Sequence, residues 1–232
     1  LRRRPHREGL DRSTDGSSLV YEMTGRLPTV PRLDTGRLLL TPEDPMVAPS
    51  SARILRCLES AGLLSMEECF GPGQFRTGER LFEYIAFTGC AVRLDSVESS
   101  APGLSISIEG PFRRPQLRCG RNSRPPRCPR CRQPLPLWQE QCFDLSAVEV
   151  NESILLSCRS CGSELPAEDW AWGRQAGVGR VFIAIAPIFP GEGRPLPALF
   201  SVLEGIAATA AVCPWRYFYV QDEHSGAIRG SS

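Results

Sequence analysis

Four cysteines carry the clearest chemistry in this sequence. They form two Cys-x-x-Cys pairs, Cys128-Pro-Arg-Cys131 and Cys158-Arg-Ser-Cys161, separated by 26 residues. Thiolates at this spacing reach one metal ion from a single short turn, and two such pairs complete a closed tetrahedral shell, for which Zn²⁺ is the expected metal. Gly162 follows the second pair and suits a turn that needs a positive φ just past its last cysteine. A catalytic zinc keeps an open position and usually draws on histidine or carboxylate ligands. The only histidines are His6 and His224, both near the ends, so the expected role of the metal is structural. Cys119 and Cys142 are the two nearby cysteines that could replace one of the four.

The double pair resembles the zinc-ribbon class, with the resemblance confined to roughly residues 119–165. It implies a small module folded around its metal because it has little core of its own, and it implies no particular task. A competing reading takes Cys128-Pro-Arg-Cys131 as a thiol-redox dithiol. That chemistry belongs where a strand meets a helix N-terminus, whereas here prolines precede the motif and a matching pair follows it.

Arginines surround the first pair. Arg113, Arg114, Arg118, Arg121, Arg124, Arg127, Arg130 and Arg132 place eight positive charges within 20 residues without one acid among them. Such a field suits a phosphate backbone, which makes nucleic acid the leading specific partner. No aromatic residue lies between Phe112 and Trp138, so the segment lacks a platform on which bases could stack. The alternatives are a solvated face that offsets the zinc-thiolate charge, or a protein-interaction module in which the ribbon is a rigid arm. The chain has no lysine, so arginine here does not signal a choice over lysine.

Composition narrows the classes. With 232 residues, 41% hydrophobic, 23% charged and a formal charge of +1, the chain can bury one good core and a small satellite. There is no apolar run long enough to span a bilayer and no secretory leader pattern, so a cytoplasmic, non-membrane protein is expected. Ten cysteines in a reducing compartment read as metal ligands and buried thiols rather than a disulfide framework. The isolated Cys57, Cys69 and Cys90 read as small buried residues. No Ser-His-acid set, glycine-rich nucleotide loop or convergent carboxylate pair is present, so no catalytic residue and no small-molecule substrate is identified.

The elements that must position the cysteines follow from patterning. Residues 1–45 read as a disordered or extended arm, polar over 1–22 and proline-rich beyond, with one short strand at Arg37–Thr41. A helix is expected from Ser50 or Ser51 to Gly62, with Ile54, Leu55, Leu58 and Ala61 on one face. Leu81–Phe87 and Ala91–Leu94 read as strands, with a helix from Glu79 competing for the first, and Leu104–Ile108 alternates as a half-buried strand. Trp170 and Trp172 are expected to lid the main core. Val178–Ala186 reads as one central strand, 196–208 as a helix, Gly191–Gly193 as a turn and Pro214–Val220 as a final strand. The expected architecture is α+β, a mixed sheet with two covering helices, interrupted by an inserted zinc ribbon. Its parts are the arm (1–45), the first half of the α+β domain (46–112), the ribbon with its arginine leader (113–167), the second half (168–222) and a tail (223–232).

Overall fold

The computed structural model describes residues 36–69, 71–88, 103–143, 155–206 and 213–221. The expected disordered segment 1–22, the strand at Ala91–Leu94, Cys90, both histidines and the tail 223–232 lie outside the described residues.

Four long-range strand pairings and one local hairpin build the centre of the protein. In chain order the elements are β1 (Gly36–Pro42), α1 (Ser51–Ser60), β2 (Leu64–Glu68), β3 (Gln74–Thr77), α2 (Leu81–Tyr84), β4 (Ile85–Phe87), β5 (Ser105–Glu109) and β6 (Gln116–Cys119). There follow α3 (Trp138–Phe143), β7 (Leu155–Ser157), β8 (Glu164–Pro166), β9 (Ala176–Gly179), β10 (Phe182–Ala186), β11 (Gly193–Pro195), α4 (Pro197–Glu204) and β12 (Trp215–Gln221). Six strands form one sheet in the order β12-β1-β10-β5-β3-β2, and two-stranded ladders join β4 with β11, β6 with β9 and β7 with β8. The class is α+β as expected. Every pairing among the described strands is antiparallel.

The sheet buries both of its faces, and its register shows how. Leu38 pairs with Ile185, Leu40 with Ile183 and Ile185 with Ile106, so these side chains share one face. There they meet Ile54 and Leu58 of α1 and Leu199 and Leu203 of α4 in the main core. Leu39, Ala184, Phe182, Phe218 and Val220 point the other way into a second apolar layer. An edge of charged or hydroxyl residues would have left that face wet; a run such as Leu38-Leu39-Leu40 does not. β1 is therefore an interior strand between β12 and β10, and the expected boundary at 45 cuts off a strand on which the sheet depends.

What covers the second face is the β6/β9 ladder. Leu117 and Cys119 of β6 and Ala176 and Val178 of β9 face outward into the ribbon core, while the alternate residues, Arg118, Gly177 and Gly179, face the sheet. A Cβ on Gly177 would lie 2.4 Å from Cε1 of Phe218, and one on Gly179 would lie 2.2 Å from Oγ1 of Thr41. Only glycine lets the β9 backbone come so close to the sheet. This divides the expected central strand 178–186 in two: β9 belongs to the ribbon ladder and β10 to the sheet, with a crossing at Arg180–Val181. Phe112 and Arg180 pin that crossing, since Phe112 N donates to Arg180 O at 2.7 Å and Arg180 Nε donates to Phe112 O at 2.8 Å.

The ribbon also satisfies the outer edge of β12. Arg121 N donates to Gln221 O, Asn122 Nδ2 to Tyr219 O, Gln221 N to Asn122 Oδ1 and Tyr219 N to Arg174 O, all within 2.8–3.1 Å. Residues on both sides of the cysteine pairs thus act as a substitute edge strand. The segment is hydrogen-bonded into the domain and is not an excursion on a tether.

Smaller differences from expectation have local causes. The stretch 81–87 is one helical turn followed by a short strand, so each competing reading holds for half of it. The helix near 50–62 is α1, with Ser50 in extended N-cap geometry and Gly62 past its end at φ 74°. Neither cap serine closes the helix by its side chain: Ser50 makes no cap bond and Ser51 Oγ donates to Gly110 O at 2.7 Å. β2 and β3 are short, β2 ends on two acids, and no periodicity in the sequence announces them.

Gly177→Val tests the close approach. The added methyl groups have to displace the Phe218 ring, so a loss of about 2–3 kcal/mol in thermal or denaturant unfolding is expected, well above the ~0.5 kcal/mol typical of surface changes. An unchanged midpoint would mean that β9 does not seat on the sheet.

Candidate metal centre

Two turns of identical construction hold the four thiols. In the first, Cys128 N donates to Gln133 O at 2.9 Å and Arg132 N donates back to Cys128 O at 2.8 Å. In the second, Cys158 N donates to Ser163 O and Gly162 N to Cys158 O, each at 2.8 Å. The residue just past the second cysteine is left-handed in both, Arg132 at φ 61° and Gly162 at φ 71°. The sequence motif foretells this at Gly162 and hides it at Arg132, where an L-residue occupies a backbone region that favours glycine.

The turns face each other. All four Sγ atoms lie within 4.8 Å of one another, with Cys128 to Cys161 at 3.8 Å and Cys131 to Cys158 at 3.6 Å. Four sulfurs placed tetrahedrally at about 2.3 Å from a zinc ion stand roughly 3.8 Å apart, so the cluster already has the dimensions of a closed thiolate shell. The first cysteine of each pair is buried, Cys128 at 1% and Cys158 at 3% exposure, whereas Cys131 is half-buried and Cys161 exposed. The centre therefore sits on the ribbon core with its second cysteines toward solvent.

That core is aromatic. Trp138 and Trp172 pack edge to face with centroids 5.2 Å apart, and Leu135, Leu156 and Trp170 close around them with Cys128 and Cys158. Trp172 Nε1 donates to Ala167 O at 2.7 Å and Trp170 Nε1 to Leu165 O at 3.3 Å. The two tryptophans, expected to lid the main core, are instead the ribbon's own interior, because the 3₁₀ turn Ala167–Asp169 directs the chain back beneath the cysteines before β9 begins. The ribbon consequently runs from β6 through β9, past the expected boundary at 167. Cys119 and Cys142 are also buried in this core and are not among the four clustered thiols. Burial first, and then the neighbouring Cys119, pushes the Cys142 thiol up to about 12, as befits an inert packing group.

Thiol acidity within the cluster is uneven. The Ser163 hydroxyl, 3.2 Å from Cys161 Sγ, together with the Ser163 backbone, holds Cys161 down to about 6. At Cys131 the Gln133 backbone contact lowers the thiol, but desolvation and the other three sulfurs outweigh it and push it up to about 12. One sulfur is thus ready as a thiolate at neutral pH, and another gives up its proton only to a competing cation. Ser163 is a site residue that the cysteine spacing does not reveal; its signal is its position two residues past the pair, where Gln133 stands in the first turn.

The arginines separate into different roles. Arg118 is drawn inward: its Nε lies 3.0 Å from Glu109 Oε2 and its guanidinium stacks 5.2 Å from the Phe112 ring and 5.1 Å from the Phe182 ring. It is a half-buried cation turned toward the sheet rather than toward the exposed arginines. Arg114 is half-buried. Arg113, Arg121, Arg124, Arg127, Arg130 and Arg132 are exposed, as is Arg159 in the second turn. Arg127 additionally braces the first turn, donating from Nη1 to Arg132 O at 3.2 Å.

Cys161 gives a direct readout of this arrangement. While zinc is withdrawn stepwise by a chelator, before the ribbon loses its order, iodoacetamide at neutral pH should modify Cys161, the exposed thiol of the four, ahead of Cys128, Cys131 and Cys158. Its rate should rise between about pH 5 and 7 and then level, as the depressed pKa requires, and zinc should suppress it. Initial labelling at Cys142, or a rate still climbing above pH 9, would contradict the assignment.

The chain matches no family model, no curated protein and no solved structure.

Proposed function

We propose that this is a zinc-binding, non-catalytic protein in which Cys128, Cys131, Cys158 and Cys161 hold one structural Zn²⁺ and fasten the ribbon to the six-stranded sheet. The observation that carries the reading is the convergence of four thiols from two matching turns. Four thiolates leave the ion no open position for a substrate or water, so its contribution is to folding. The thiol-redox alternative finds little support: Cys128 and Cys131 lie in a turn followed by extended chain, and the next helix, α3, begins only at Trp138.

The exposed arginines of the ribbon are read as a surface for nucleic-acid phosphates. With Arg118 withdrawn, the surface comprises Arg113, Arg121, Arg124, Arg127, Arg130 and Arg132 with Arg159 added, and Arg114 at its margin. A second reading, a protein-interaction module with the ribbon as a rigid arm, draws on the hydrogen bonds that lock residues 121, 122 and 174 to β12. Among the described residues no helix is long and apolar enough to cross a membrane.

Metal analysis of purified protein should find one zinc per chain, and Cys158→Ser should lose it together with the ordered signals of Trp138 and Trp172. A fully folded protein without metal would end the proposal. For the arginine surface, about four phosphate contacts give a slope of log K against log salt of roughly −3.6. The triple change Arg113→Ala, Arg124→Ala and Arg130→Ala should flatten it by up to roughly 2.7 while leaving zinc content unchanged. An unaltered slope would favour the interaction-module reading.

A further inference from the structure

Away from the metal centre, α4, β12 and the β4/β11 ladder enclose an open cleft of about 820 Å³. Its walls are apolar and aromatic, supplied by Phe200, Tyr217, Pro195 and Pro197, and two guanidinium groups, Arg174 and Arg194, stand on it. Among the described residues neither arginine has an ion-pair partner. Arg174 lies over the Tyr217 ring at 5.0 Å and donates from Nη1 to the Tyr217 hydroxyl at 2.8 Å, which fixes the guanidinium and leaves most of its N–H groups unused. Phe200 lies at 42° to the same tyrosine with centroids 6.1 Å apart, so it presents a tilted ring to the space between them. Glu204 is the one acid in the lining, which leaves the cleft with a net positive charge.

We propose that this cleft binds a nucleotide, with the phosphate on Arg174 and Arg194 and the base against Phe200. The volume suits one nucleotide. Two guanidinium groups lining one cleft without ion-pair partners among the described residues offer the charge and donors a phosphate takes, and an aromatic ring in the same lining accepts a flat base of any identity. The combination also supplies what the arginine leader lacks, a stacking ring next to positive charge. Arg174 follows directly on the ribbon's last turn, at Gly173 with φ 68°, so the cleft begins where the ribbon rejoins the sheet. The nucleotide could be free or one unit of a single strand, and the proposal holds independently of whether the ribbon arginines touch nucleic acid.

The test is calorimetric titration of the zinc-loaded full chain, at low salt, with adenosine monophosphate, with a ten-residue oligothymidylate and with inorganic phosphate. Binding of the monophosphate identifies a free nucleotide as the ligand; binding of the oligomer alone identifies a single strand. Arg194→Ala, an exposed position, should weaken whichever binds by about tenfold or more, the scale of a lost charge-assisted contact. Phe200→Leu, which keeps apolar volume and removes the ring, should weaken it by about fivefold to tenfold. Zinc content and the unfolding midpoint, measured on both variants, separate a lost ligand from a lost fold. The proposal is overturned if neither nucleotide form binds, if inorganic phosphate binds as tightly as the nucleotide, or if both variants bind like the parent. None of these results bears on the metal content, so the zinc reading stands or falls separately.

Discussion

The close seating of β9 on the six-stranded sheet is the constraint on which the rest of the protein depends. Gly177 and Gly179 face Phe218 and Thr41 with no room for a side chain, and Val178 between them faces the opposite way into the ribbon. One strand thereby serves two cores, closing the second face of the sheet and supplying a wall for the metal-binding module. An excision of residues 113–165, which a tethered insertion would tolerate, removes β6 from beside β9 and strips Arg121 and Asn122 from the edge of β12. It also uncovers Trp170 and Trp172. The ribbon is therefore a third layer of the domain, stacked in the order helices, sheet, ribbon.

Electrostatics reinforce that stacking at one point. Burial alone would raise the Glu109 carboxyl, but Arg37 of β1 and Arg118 of β6 both contact it and hold it below the ordinary carboxylate value. A carboxylate whose folded pKa is depressed stabilises the fold above its unfolded value near 4.5 and loses that contribution as pH falls through the folded value. The triad ties the sheet to the ribbon ladder, with the aromatic faces of Phe112 and Phe182 completing the shell around Arg118. The same arginine run thus divides: one side chain fastens layers together, while its exposed neighbours surround the four-cysteine cluster.

The four clustered cysteines were legible because their chemistry is local. Two Cys-x-x-Cys pairs announce ligands by type and spacing alone, and Gly162 announces its turn by the same logic. What surrounds them was not, since it depends on contacts made at long range. Nothing at Arg118 distinguishes it from Arg121 until β6 is known to pair with β9, which turns one toward the sheet and leaves the other at the surface. Trp170 and Trp172 could lid either core, and the 3₁₀ turn before them decides. Val178–Ala186 is apolar at nearly every position, so periodicity could not show that two glycines assign its first part to a different ladder. The class α+β, α1, α4, β5 and β12 are readable from their patterns; β1 reads as a strand, but its interior place rests on pairing with β10 and β12 that spans most of the chain.

The sharpest single measurement is X-ray absorption at the zinc edge on the purified full chain. A closed centre built from these residues predicts one shell of four sulfur scatterers at about 2.3 Å, with no nitrogen or oxygen in it. A shell containing nitrogen or oxygen, or protein that is folded and holds no zinc, would contradict the account of Cys128, Cys131, Cys158 and Cys161 as the ligands of a structural ion.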